Sequence, residues 1–548
     1  MLANGVRTIT GVATSITAFI GRAPRGPTNE AVTIASFGDF ERTFGGLWTG
    51  STLGYAVRDF FLNGGSQAIV VRLYNLDPGP PAEPAHAVVS VGGLTLESAS
   101  EGAWGQNLRA TLDQNVTAEV SASMEVPVSA LFNLTIEDTG PGGLTEQFLN
   151  LTVVDSARRV DRVLALESNL VRWHGAWRPD PLPTLTPGDD PLTQAQATLD
   201  QARAQLQADQ AQPSPDPAKI AADQTNVHDA QQALTDAAAP LQSSDGLALT
   251  QTQFEPAGGL ADKQGLYALE QVDLFNLLCL PPYLPGGDVD ASLITHAAAY
   301  CETRRAMLLV DPPSAWQSKD AAKQGVGGIG TASKNAALFF PRVQEPDPLK
   351  GNRLEELVPC GAVAGVFART DSQHGVWKAP AGLDATLVGV QQLSVRLTGG
   401  EIGELNPLAV NCLRELPASG NVVWGSRTLQ GDDRLASEWK YIPVRRLALY
   451  LEESIYHGTQ WVVFEPNGEP LWSQIRLNVG AFMQDLFRKG AFQGRTPREA
   501  YFVKCDQETT TQNDIDNGIV NIVVGFAPLQ PEELVILQIQ QMAGQIVT

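Results

Sequence analysis

Met307-Leu-Leu-Val310 is an unbroken apolar run that stops against Asp311-Pro-Pro313, and residues 272–280, mostly apolar around Asp273 and Asn276, form a second run that stops against Pro281-Pro282. Short apolar runs bounded by breakers read as buried strands. Between them, residues 288–301 read as a helix. From about residue 258 the chain is therefore globular α/β.

Toward the C-terminus, residues 443–457 and 470–489 read as helices, and 461–464 and 519–528 as strands. Residues 533–541 alternate, with Val535, Leu537 and Ile539 on one side, so this end reads as a strand-like arm. Toward the N-terminus, residues 1–21 read as an extended arm. Val12, Thr14, Ile16, Ala18 and Ile20 fall on one face at period two. Residues 32–35 form a short strand, 53–62 a helix closed by Asn63-Gly-Gly65, and 67–74 an apolar strand.

The proline-rich run 77–84 is a linker. Residues 86–177 turn to short alternating runs of Val, Thr and Leu, with one helix near 156–166. Residues 190–241 hold no aromatic residue and repeat an apolar residue every seven: Leu192, Leu199, Leu206, then Ile220, Val227, Leu234 and Leu241. Ala195, Ala202, Ala230 and Ala237 lie three places after members of that series and complete the seam. Asp190-Pro191 and Asp216-Pro217 each set a capping carboxylate before a helix-opening proline. The reading is an antiparallel coiled-coil hairpin; a disordered Ala/Gln linker is the competing one. The expected organisation is an N-terminal arm (1–21), a first core segment (22–77), an inserted outer β-rich domain (78–189) and a helical hairpin (190–243). A second core segment (244–532) and a C-terminal arm (533–548) follow, in an α/β (α+β) chain.

At 548 residues the chain is too long for one ordinary domain, and roughly two to four are expected. The first residues lack the apolar core of a signal peptide, and no apolar stretch approaches the ~20 residues that span a bilayer. A soluble, cytoplasmic protein without membrane insertion is expected. The formal charge of −22 argues against nucleic acid as a partner. Cys279, Cys301, Cys360, Cys412 and Cys505 are odd in number and widely spaced, as buried free thiols would be. The Asn-x-Thr triplets at Asn115, Asn133 and Asn150 then carry no glycosylation meaning.

Gly325-Val-Gly-Gly-Ile-Gly330 matches the dinucleotide fingerprint by letter. The fingerprint works only where a strand leads into it and a helix starts from it. Here a polar helical stretch precedes it, so a loop is expected. The six histidines share no metal spacing. Asp514-Ile-Asp-Asn-Gly518 sets its glycine one place early for a calcium loop. No Gly-x-Ser-x-Gly elbow occurs. No enzyme, metal or cofactor is expected.

Longer phrases of the chain stand out as well. They include Arg304-Arg-Ala-Met-Leu-Leu-Val-Asp-Pro-Pro313, Gly361-Ala-Val-Ala-Gly-Val-Phe-Ala-Arg-Thr-Asp371 and Val423-Trp-Gly-Ser-Arg-Thr-Leu429. Tyr441-Ile-Pro-Val-Arg-Arg446, Gln460-Trp-Val-Val-Phe-Glu-Pro-Asn467 and Gly525-Phe-Ala-Pro-Leu-Gln-Pro-Glu532 belong with them, as does the opening Phe19-Ile-Gly-Arg-Ala-Pro-Arg-Gly-Pro27. Together these phrases resemble the contractile phage tail sheath family; they fall in the first 75 residues and after about 245, and 78–243 carries none.

The resemblance implies hexameric rings of the chain stacked in a helix around an inner tube, with baseplate and terminal cap proteins as further partners. A bistable polymer linked by terminal strands would then shorten and drive the tube forward. It also implies a phage tail or tail-like particle assembled in a bacterial-type cytoplasm. The arm residues Val12, Thr14, Ile16, Ile20, Val535, Leu537 and Ile539 are the expected links between subunits. Arg488, Lys489, Arg495 and Arg498 are the densest positive cluster in an acidic chain and the expected inner-tube contact. A solvated helix end favoured by its dipole is the competing reading. Arg414, Trp424, Arg427, Arg445 and Arg446 suit either inter-subunit pairs or internal ones. The alternative functions are a surface adhesin using residues 86–177 and a nucleotide-cofactor enzyme.

Overall fold

A computed structural model describes residues 8–76, 79, 84–177 and 181–532. Its central element is an eight-stranded sheet. The strands are β1 (Thr17–Gly21), β2 (Ala31–Ile34), β3 (Ala68–Arg72), β4 (Leu277–Cys279), β5 (Met307–Val310), β6 (Ala336–Phe340), β7 (Val410–Leu416) and β8 (Gly420–Val423). Their order across the sheet is β8-β7-β6-β5-β4-β1-β3-β2. All neighbours from β7 to β3 are parallel, and β8 and β2 add antiparallel edges. Parallel strands are covered on both faces, which is why β5 is apolar throughout.

The helices used below are α1 (Leu53–Leu62), α2 (Pro191–Gln210), α3 (Pro217–Ala238), α4 (Ala291–Thr303), α5 (Cys360–His374), α6 (Ile442–Thr459) and α7 (Glu469–Arg488). Successive strand residues point to opposite faces of the sheet. Phe19, Val70, Leu277, Met307 and Phe339 pack with Phe60 of α1 and Phe367 of α5. Ala18, Ile20, Ile69, Leu278, Leu308 and Leu338 pack with Leu293 and Ala297 of α4 on the other side. Gly361 and Gly365 let α5 lie against the backbone of α1; a Cβ at Gly361 would come within 2.0 Å of the Ala56 carbonyl oxygen.

The insertion has its own core. Strands Val88–Val91, Leu94–Ser98 and Val171–Trp173 form one sheet; Leu108–Asp113, Leu131–Asp138, Thr145–Thr152 and Gly188–Asp189 form another. Leu96, Leu108, Phe132, Leu134 and Leu164 fill it, and Leu192 and Leu241 at the root of the helical hairpin pack into it. Asp190 caps α2 by accepting from the Leu192 and Thr193 amides at 3.0 Å, while its other oxygen accepts from Ala110 at 3.0 Å. One carboxylate thus starts the helix and fastens it to a strand. Asp216 caps α3 through the Ala218 amide at 2.9 Å. Along the seam Leu199 and Ala230 are buried, and Asp209 and Asp223 occupy the positions three after Leu206 and Ile220. Lys219 answers Asp209 at 2.9 Å.

Helices α6 and α7 and the hairpin β9 (Tyr501–Lys504) and β10 (Val523–Phe526) complete the chain. Leu447, Leu451, Trp472, Ile475, Phe482 and Met483 form their core, with Ile9 from the N-terminal segment packed into it.

Two expectations are corrected. The arm 1–21 is not free along its whole length: its last five residues are β1, paired with β3 on one side and β4 on the other. The alternation that includes Ile16 and Ile20 is real, but the partners of Ile20 are in the same chain. Residues 461–464 are not a strand; Gln460–Val462 is a 3-10 turn and Phe464 projects from the loop that follows. Val535, Leu537 and Ile539 lie outside the described residues.

Candidate assembly surfaces

One short loop holds the insertion to the core. Arg25 donates from Nη1 to Asp138 of the insertion at 2.7 Å and from Nη2 to the carbonyls of Glu41 and Arg42 at 3.2 and 3.1 Å. Arg72 donates to the Ala23 and Gly26 carbonyls, both at 2.9 Å, and to the Glu101 carboxylate at 2.9 Å. The Gly26 amide donates to Ser100 Oγ at 2.9 Å. Arg22 donates to the carbonyls of Asp245 and Gly246, at 2.7 and 2.9 Å, where the chain returns from the insertion. Burial lowers the pKa of Arg25 and Arg72, with Asp138 and Glu101 respectively opposing the shift. Burial alone would raise Glu101, but the Arg72 charge prevails with the other hydrogen bonds and holds it below the usual carboxylate range. The insertion is therefore pinned at a buried, charged joint. The Arg22 and Arg25 of the opening phrase are its core side.

A second buried pair ties the N-terminal segment to α5 and α6. Arg446 grips Asp371 with two hydrogen bonds of 2.8 and 2.6 Å, and the side chains are 3% and 4% exposed. Arg446 also donates to the Thr14 carbonyl at 2.8 Å, and the Thr14 hydroxyl donates to Asp371 at 2.7 Å. The Val12 amide reaches Ser454 Oγ at 3.2 Å and the Ile16 amide reaches Asn276 Oδ1 at 2.9 Å. Val12, Thr14, Ile16 and Ile20 thus each engage their own chain. Sequence reasoning missed this latch because its parts lie 357 and 75 residues apart.

The remaining candidate cations also bond internally. Arg445 donates to Asn335 Oδ1 at 2.8 Å and pairs with Glu452 at 3.1 Å. Arg427 pairs with Asp433 at 3.0 Å, and Arg414 lies 5.3 Å from the Trp424 ring centre.

Arg488, Lys489, Arg495 and Arg498 are all exposed, at the end of α7 and in the turn leading to β9. Lys489 pairs with Asp485 at 2.8 Å. Arg488 ends α7, Lys489 follows it, and Arg498 lies in the short helix Pro497–Ala500. Nearby, β9 and β10 form a sheet of two strands, with Phe502 and Val523 exposed. A two-stranded sheet leaves outer edges able to accept another strand.

Several acids are buried away from any surface. Glu345 and Asp59 share Arg58, and burial followed by the Asp59 charge pushes Glu345 up to about 9. Burial pushes Asp311 up to about 7 while its Oδ1 accepts the Cys360 amide at the first residue of α5. All five cysteines are buried free thiols. The glycine-rich stretch lies at the C-terminal end of the helix Lys319–Gly325. That is the wrong end of a helix for a pyrophosphate.

Residues 256–429 match the phage tail sheath protein central domain, and residues 436–542 match the phage tail sheath C-terminal domain. The chain belongs to the phage tail sheath protein family. It is 25% identical over 251 residues to a prophage major tail sheath protein of Pseudomonas aeruginosa, covering 45% of this chain and 61% of that relative. It is 27% identical over 171 residues to the tail sheath protein of Enterobacteria phage T4, covering 31% of this chain and 25% of that one. The matches thus span about three-fifths of one relative and a quarter of the other. The fold is similar to the anti-feeding prophage helical sheath in its contracted state, at TM-score 0.52 and 22% identity over 97% of this chain and 95% of that one. A sheath tail protein of Listeria innocua is similar at TM-score 0.52 and 13% identity, over 95% of this chain and 96% of that one.

Proposed function

We propose that the chain is the structural subunit of a contractile sheath, polymerising helically around an inner tube and shortening to drive that tube through a target envelope. The observation that carries this reading is likeness along nearly the whole chain, 97% of it, to a sheath subunit solved within a contracted helical assembly. The buried joints suit a body that moves as a unit. Contacts made within the chain by Arg25, Arg72 and Arg446 survive a change of lattice, whereas exposed contacts can re-pair.

In this proposal the chain forms hexameric rings with copies of itself, and baseplate and cap proteins meet the ends of the stack. The terminal segments before residue 8 and after residue 532, the latter with Val535, Leu537 and Ile539, link neighbouring copies. The insertion and its helical hairpin face outward, where widening of the sheath leaves room. Arg488, Lys489, Arg495 and Arg498 face an acidic tube protein. The test is sedimentation velocity of the purified chain. The proposal expects particles far larger than the 58.6 kDa monomer and of regular mass. A monomer at every concentration contradicts it.

A further inference from the structure

Asp209 of α2 and Asp223 of α3 face each other across the seam of the helical hairpin, within hydrogen-bond reach. They are only 6% and 7% exposed. Each takes a place where the repeat would set an apolar side chain, three residues after Leu206 and Ile220. Their surroundings differ. Asp209 accepts from Lys219 Nζ on Oδ1 at 2.9 Å and from Gln205 Nε2 on Oδ2 at 2.8 Å. Asp223 Oδ2 is buried and meets no donor among the described residues.

Two carboxylates in contact away from water repel each other when both are ionised, and one proton between them turns that repulsion into a hydrogen bond. The neighbours decide which of the two carries it. Lys219 and Gln205 hold Asp209 in its charged form, below its ordinary value of 3.8. Burial, then the bond and the charge of Asp209, raise Asp223 above that value. Lys219, in the first turn of α3, is the cation that faces the pair, and its charge also answers Asp216 at the cap. One positive charge suffices for one carboxylate and not for two.

The pair sits near the tip, where residues 211–216 join the two helices. Much of the seam is Ala, so little apolar burial opposes a second charge placed inside it. Leu206 and Ile220 are half-buried beside the pair, and separation of the tip uncovers them.

We propose that Asp209 and Asp223 form a proton-held clasp, in which one shared proton closes the tip of the hairpin and its loss lets the two helices part there. The clasp has two limits. Asp223 is raised, so its contribution is full below the ordinary value and is lost as pH rises through the raised one. Asp209 is lowered, so its contribution is present above the ordinary value and is lost as pH falls through the lowered one. The clasp is tightest in the window between them, which straddles 3.8, and the tip is looser at neutral pH.

Hydrogen exchange of the full-length chain tests this, with each amide's rate divided into its intrinsic rate at the same pH. The protection of residues 205–210 and 218–223 is expected to fall between about pH 4 and about pH 7, by about tenfold for each unit by which Asp223 is raised. Asp223→Asn keeps a donor toward Asp209 and carries no charge. Its tip is expected to hold the parent's acid-side protection up to about pH 7. A parent whose tip protection is flat over this range, or an Asn variant that loses protection as steeply as the parent, overturns the inference. A loss of equal size at residues 196–202, nearer the insertion core, overturns it too, because the clasp acts at the tip.

Discussion

Arg25 carries its charge into the joint between core and insertion, and Asp138 is the group that keeps it there. Removing one member of a buried ion pair strands the other, at a cost of roughly 3–5 kcal/mol. Arg25→Met is expected to lower the unfolding free energy measured in urea by that amount, and adding Asp138→Leu is expected to recover most of it. Glu345 gives a second residue-scale prediction. Burial raises it from its ordinary 4.5 to about 9, so between those values the folded chain binds a proton that the unfolded chain has lost. Stability then falls as pH rises through that window, by up to about 1.4 kcal/mol per pH unit, and levels off above it. Glu345→Gln removes this term. Urea unfolding at about pH 6 and about pH 8.5 should show a smaller difference for the variant than for the parent.

Among the elements, the α2–α3 hairpin is the weakest by construction. Its seam alternates Leu with Ala, which buries little area, and sets Asp209 and Asp223 into it near the tip. Its amides are expected to exchange with deuterium well before those of β5, which is buried on both faces; equal protection contradicts this. The hairpin was readable in the sequence because heptads, caps and the intervening prolines all agree. The seam acids were not, because a polar residue interrupts the pattern that finds seams. β5 and α1 were readable to their ends, since breakers flank each apolar run. β1 was misread as a stretch of arm, because alternation tells which face a residue takes and not whose strands lie beside it. α5 gave no helical signal: residues 360–368 are buried all round, so the 3.6-residue period is invisible. Residues 461–464 have the composition of a strand, but local turn hydrogen bonds and the following helix claim them.

For the whole molecule, the placement of β1 changes how the N-terminus should be tested. Deleting residues 1–21 removes a central strand and is expected to prevent folding. Deleting residues 1–7 is expected to leave a folded monomer that does not form sheaths. Circular dichroism and sedimentation separate the outcomes, and tubes formed by the shorter truncation contradict the link assigned to that terminus. Charge reversal at Arg488, Lys489 and Arg495 is expected to abolish co-assembly with the tube protein and to leave the melting temperature unchanged, because all three side chains are exposed. Normal tube-filled sheaths from that variant contradict the tube contact. The central claim is that this chain is built to polymerise, and electron microscopy of the purified full-length chain tests it most directly. The account predicts cross-striated tubes of uniform diameter, each stripe a ring of copies; a field of separate monomers or irregular aggregates would contradict it.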